Sequence, residues 1–134
     1  MKKYQINYEG DLRVSMEHLA SGTIINTDAP VDNNGKGQSF SPTDLLASSV
    51  VSCILTIAGI HFQKKGIELK PIHCAVNKVM YSEPRRVGEI HIDFDFTSND
   101  FGDKELKIMQ QIVKTCPVSS SLNKEVKIIT NLPD

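Results

Sequence analysis

The 134-residue sequence lacks a dominant charge, since fifteen Lys and Arg against sixteen Asp and Glu leave a formal net charge of −1. Nothing in that balance points to a nucleic-acid partner, and 40% hydrophobic residues do not point to a disordered chain. Paired cysteine motifs are lacking as well. Cys53, Cys74 and Cys116 form an odd set without CxxC spacing, which argues against both a secreted disulfide scaffold and a zinc knuckle. His18, His61, His73 and His91 stand singly, without the spacing of a ligand pair, so no metal or other cofactor is expected. Arginine is scarce: Arg13, Arg85 and Arg86 are the three in the chain. The opening MKKYQINYEG has two lysines but no apolar run behind them, so it does not read as a signal peptide. These absences predict a cytoplasmic protein with reduced thiols, a single domain over residues 1–134.

What is present is patterned. Tyr4, Ile6 and Tyr8 share one face and Leu12, Val14 and Met16 another, with Glu9-Gly10-Asp11 between them. That alternation predicts a β-hairpin turning at Gly10. A short strand, TIINT, follows the turn Ala20-Ser21-Gly22, and the Gly-, Pro- and Asn-containing segment DAPVDNNGKGQSF predicts a loop.

From Ser41 the text is SPTDLLASSVVSCILTIAGIHFQKKG. Ser41 is a cap, Pro42 suits the first turn, and Asp44 stands at the capping-box position. Lys64 and Lys65 fall in the last turn and Gly66 is a stop. Start and stop agree on one helix of about seven turns, roughly 36 Å. Residues 45–62 carry no formal charge with His61 neutral, so a membrane span has to be weighed. The hydroxyls of Ser48, Ser49, Ser52 and Thr56, the strong caps and the strand-rich remainder favour a buried central helix instead.

IELKPIHCAVNKVMYS then predicts a long strand with Ile72, Cys74 and Val76 on one face, and SEPRRVG a turn. GEIHIDFDF sets Ile90, Ile92, Phe94 and Phe96 inward and His91, Asp93 and Asp95 outward, as in a sheet with one wet face. Leu106, Met109, Ile112 and Val113 make a helical stripe over 103–115. Cys116-Pro117 opens another helix, and EVKIIT closes as a strand. The order is β-β-β-α-β-β-α-α-β, an α+β chain with an antiparallel sheet packed on a long central helix. That helix is apolar nearly all round and needs cover on every side. A chain this short supplies too little, and the small stripe Ser49, Ser52, Cys53 and Thr56 would admit a second helix, so a homodimer is expected.

The thiols carry the candidate chemistry. Cys116, before Pro117, falls at a helix start, where unpaired N–H groups and the dipole favour a thiolate. Cys53 lies mid-helix on the small-residue stripe, and Cys74 on a strand face reads as core. Two cysteines on two helices suit a cycle in which one thiolate attacks a peroxide O–O bond and the second closes a disulfide.

The run GKGQSFSPTDLLASSVVSC, followed by TCPVSSSL, resembles the OsmC and organic hydroperoxide resistance family over essentially the whole chain. The resemblance implies an OsmC-like fold, an intertwined α+β homodimer with interface sites, and thiol-dependent reduction of organic or hydrogen peroxides. It implies Cys53 as the attacking thiol and Cys116 as the resolving one, with a dithiol such as a lipoyl group as reductant. The helix start favours Cys116 as the attacking thiol instead, whereas the resemblance implies Cys53, which is the expected attacker. In the hydroperoxide branch an arginine and a glutamate flank the attacking cysteine. Arg13 stands nearest the arginine's place, ahead of Arg85 and Arg86. The glutamate's place after the proline holds Thr43, with Asp44 one residue later, so the chain is more similar to the wider OsmC-like group. A dimer that binds a small apolar ligand without catalysis is the alternative.

Overall fold

The two ends of the chain's longest helix are written in its neighbours, and the computed structural model, which describes all 134 residues, places them accordingly. Helix α1 spans Pro42–Lys64. The Ser41 hydroxyl accepts the Asp44 N–H at 3.1 Å while the Asp44 carboxylate accepts the Ser41 N–H at 2.9 Å, the reciprocal pair of a capping box. Gly66 adopts φ +73°, a left-handed stop that a side chain would resist.

The chain falls into two compact units, Met1–Leu46 and Ala47–Asp134, which divide within α1. The first holds an antiparallel sheet in the order β1-β2-β3: Tyr4–Gly10, Arg13–His18 and Thr23–Asp28. The hairpin turns at Asp11-Leu12, with φ 54° and 64°, one residue later than the sequence predicts, and the register shifts between Tyr8 and Gly10. Two residues with positive φ match the right-handed twist of the strands they join. That register sets Ile6 opposite Met16 and Tyr8 opposite Val14. The two sets expected on separate faces therefore share one face, and Leu12 belongs to the turn. A single 3-10 turn, Val31–Asn33, interrupts the loop that follows.

The second unit holds β4 (His73–Tyr81), β5 (Arg86–Asp95), α2 (Asp103–Thr115), α3 (Pro117–Ser121) and β6 (Lys127–Thr130). β5 is central: antiparallel to β4 and parallel to β6. The single antiparallel sheet expected from the sequence is thus two three-stranded sheets, the second of them mixed. The long strand predicted from residue 67 begins only at His73. Pro71 has no N–H to give a ladder. The backbone of Lys70 pairs instead with the side chain of Asn99, which accepts its N–H at 2.9 Å and donates to its carbonyl at 3.1 Å. Asn131 does the same beyond β6, holding the N–H and carbonyl of Phe94, each at 2.9 Å.

The core gathers Val50, Val51, Ile54, Ala58 and Phe62 from α1, Val87, Ile90, Ile92 and Phe94 from β5, Met109 and Ile112 from α2, and Cys116. The alternation of β5 is as expected, with Ile90 and Ile92 wholly buried and Asp93 and Asp95 exposed. Helix α1 is covered on this side only. Its other side, Ser49, Ser52, Thr56, Ile60 and Gln63, is exposed in the single chain, Ile60 by 44%. By length and composition α1 is the one helix able to cross a membrane, with a third of its most apolar window buried in the fold.

Candidate functional site

Cys53 is carried by α1 at the border between its covered and exposed sides. It is half-buried, packs against the core, and adjoins the stripe of Ser49, Ser52 and Thr56. The hydroxyl of Thr56 turns back to donate to the Ser52 carbonyl at 2.8 Å, so the stripe offers small side chains with part of its polarity already satisfied. One turn further along the same side an open groove of about 480 Å³ is lined by Thr56, Gly59, Ile60, Gln63, Ile67, Glu68 and Leu69.

Cys116 sits where two helices meet. Its N–H donates to the Ile112 carbonyl at 2.9 Å, closing α2, and its sulfur accepts the Ser119 N–H at 3.3 Å, opening α3. The cap position expected from Cys-Pro is the one observed, with Pro117 at the first helical position. The side chain is 1% exposed. Cys116 lies inside the hydrophobic core of the second unit, and Cys53 packs against that core. All three cysteines are free thiols. Cys74, also half-buried against the cluster, has its thiol pushed up from the ordinary range by burial, which lowers its thiolate fraction at neutral pH.

Of the charged candidates, Arg13 and Asp44 lie in the first unit and Arg85 and Arg86 in the second. Arg13 sits on β2 with its fork on Asp28: Nε to Oδ1 at 2.8 Å and Nη2 to Oδ2 at 2.9 Å. Nη2 also reaches Gln38 Oε1 at 3.1 Å, and the Gln38 N–H donates to Asp28 Oδ2 at 3.1 Å. The Arg13 fork holds the Asp28 carboxyl below the usual carboxylate range, and Asp28 in turn raises Arg13. Asp28 is 2% exposed and was not singled out by its sequence context. The only signal for it was an acidic residue ending a strand, on the same sheet face as an arginine of the neighbouring strand. Asp44 engages Ser41 at the start of α1, as its capping-box position predicts. Arg86 donates through Nη1 to the carbonyls of Ser82 and Pro84 and lies over the Tyr81 ring, so it is occupied within its own turn. No three His, Cys, Asp or Glu side chains gather to hold a metal ion.

The OsmC-like protein family matches residues 35–131, most of the chain and both cysteine-bearing helices. The chain belongs to the OsmC-like family. The OsmC-like fold is shared throughout its length with a protein from Psychrobacter arcticus 273-4, provisionally named an osmotic stress induced and detoxification response protein. The two are 46% identical over 98% of this chain and 96% of that one, with a TM-score of 0.90. An OsmC-like protein of Mycoplasma pneumoniae is similar at 22% identity and TM-score 0.75, covering 98% and 96% of the two chains. An organic hydroperoxide resistance protein OsmC of Legionella pneumophila, also described as a predicted redox protein, is similar at 14% identity and TM-score 0.70, covering 95% and 92%. At these last two identities the likeness concerns the fold. None of the proteins of curated function matches the chain in sequence.

Proposed function

We propose that this OsmC-like protein is a thiol-dependent peroxidase acting in a stress response, with Cys53 as attacking and Cys116 as resolving thiol. The observation that carries the reading is the pair of free thiols on two helices, one partly open to solvent and one buried at a cap. Family membership and the stress and hydroperoxide names of its relatives support the same reading.

In the first step the Cys53 thiolate, its proton already given to solvent, attacks the outer oxygen of a hydroperoxide. The O–O bond breaks, the alkoxide leaves as the alcohol with a proton from solvent, and Cys53 becomes a sulfenic acid. The Cys116 sulfur then attacks that sulfenic sulfur. The S–S bond forms, the S–O bond breaks, and hydroxide leaves as water with the proton of the Cys116 thiol. A dithiol, of lipoyl type, restores both thiols and is oxidised to its own disulfide. The cycle requires the two Cα atoms to come within about 7 Å in at least one state. Arg13 is assigned to favouring the thiolate, with Asp28 fixing its fork, and Asp44 is the acidic residue at the start of the helix that carries Cys53. The working form is a cytoplasmic homodimer in which a second copy covers the exposed stripe of α1.

Non-catalytic binding of a small apolar ligand is the second reading, and the groove lined by Ile60, Ile67 and Leu69 favours it. Turnover of cumene hydroperoxide with dihydrolipoamide separates the two. Catalytic consumption that is lost in Cys53→Ser supports the peroxidase. Saturable binding of an apolar probe with the peroxide unconsumed supports the ligand-binding dimer.

A further inference from the structure

The hydroxyl of Ser119 has no part in the steps above, yet it stands against the sulfur that must resolve them. Its Oγ is 3.0 Å from Cys116 Sγ, 3.0 Å from the Val113 carbonyl and 3.0 Å from the Cys116 carbonyl. One reason for its place is local. In an uninterrupted helix the Val113 carbonyl would accept the N–H four residues on, but that residue is Pro117, which has none. The Ser119 hydroxyl supplies the missing donor.

A serine hydroxyl has one hydrogen and two lone pairs, so it serves one of three acceptors at a time. With its hydrogen on a carbonyl, the lone pairs are left to accept the S–H of Cys116. Rotation about Cβ–Oγ turns the hydrogen onto the sulfur without moving any heavy atom. There it joins the Ser119 N–H, 3.3 Å from Sγ, so that a thiolate would find two donors in place. A buried charge without such donors is costly, and Cys116 is 1% exposed.

Resting on the Cys53–Cys116 reading, we infer that Ser119 is a positioning residue for the resolving step. Its hydroxyl accepts from the Cys116 thiol and donates to the thiolate. The buried sulfur thereby stays held in one place and becomes nucleophilic only as its proton is lost. The proton departs with the hydroxide released from Cys53 sulfenic acid, as water, when the S–S bond closes.

The isosteric pair Ser119→Thr and Ser119→Val tests this, since the two side chains differ by the hydroxyl, with Ser119→Ala beside them. Folding is verified by circular dichroism. After one equivalent of cumene hydroperoxide, rapid quenching and mass spectrometry follow Cys53 sulfenic acid and the Cys53–Cys116 disulfide separately. Ser119→Val and Ser119→Ala are expected to oxidise Cys53 at the wild-type rate. Closure should be slower by about tenfold or more, the scale of one charge-assisted hydrogen bond, with Cys53 sulfenic acid persisting after the single equivalent and sulfinic acid accumulating once further peroxide is added. Ser119→Thr restores closure. Variants that melt earlier but close as fast as wild type would reduce Ser119 to a cap for Val113 and overturn the inference alone. A wild-type protein that forms no Cys53–Cys116 disulfide would overturn the peroxidase reading and this inference together.

Discussion

Ser41→Ala removes the acceptor that holds the Asp44 N–H at 3.1 Å at the start of α1. Loss of a capping serine costs about 1 kcal/mol on average, within about 0.5–2. Ser41 is 2% exposed, so water cannot readily replace its oxygen, and about 1.5 kcal/mol is the expected loss. For 134 residues at about 2.1 cal/mol/K of unfolding entropy per residue, that lowers Tm by about 5 °C. Asp44→Ala removes the reciprocal acceptor of the Ser41 N–H, whereas Asp44→Asn keeps a carbonyl oxygen there and should cost less. Because the two groups hold each other, Ser41→Ala and Asp44→Ala should be non-additive, with a coupling of about 0.5 kcal/mol or more. Calorimetry of the wild type, both single variants and the double variant measures this directly. Cys53 lies about 18 Å along the helix from Ser41, beyond the first turn where terminal effects act, so its alkylation rate should stay within about twofold. A Ser41→Ala shift below about 1 °C, or strictly additive single effects, would refute the cap as the anchor of α1.

The stability lost in Asp28→Asn should be constant above about pH 4, the ordinary carboxylate value. The depressed folded value means the Arg13 pairing contributes above that pH. The contribution disappears as pH falls through the lower folded value, so denaturant melts of the two proteins should converge in acid. Arg13→Ala should shift the pH dependence of Cys53 alkylation upward, and an unchanged profile would confine Arg13 to its pairing with Asp28. Cys74→Ser should leave peroxide turnover intact, and Cys74 should be the slower of the two half-buried thiols to alkylate at pH 7, which mass spectrometry of iodoacetamide adducts reads out. The wild type should sediment at micromolar concentration at twice its 14.9 kDa, and Thr56→Arg on the exposed stripe should shift it toward the monomer. A well-folded wild-type monomer would remove the dimer.

The helices were legible because their ends are signalled locally. Ser41 and Asp44 start α1, Gly66 stops it, and Cys116-Pro117 both ends α2 and opens α3. The strands were less so, because their limits depend on partners far along the chain. The strand expected from residue 67 yields at Lys70, whose backbone is taken by Asn99, twenty-nine positions on. The parallel pairing of β6 with β5 follows two helices and leaves no trace in alternation. Tyr8 and Val14 were set on different faces because the turn residues Asp11-Leu12 fix the register and neither is a glycine. Both helix-borne cysteines were visible from their positions, as was Asp44 as a cap. Asp28 was not, since its partner Arg13 is brought to it only by the β2–β3 ladder. Ser119 carried a readable signal, a hydroxyl three residues after a capping cysteine, where the side chain faces the cap.

Peptide mapping after one equivalent of organic hydroperoxide tests the central claim most directly. The account predicts a single intrachain disulfide joining Cys53 and Cys116, with Cys74 free and the peroxide reduced to its alcohol. A disulfide that contains Cys74, or three free thiols beside unconsumed peroxide, would contradict it.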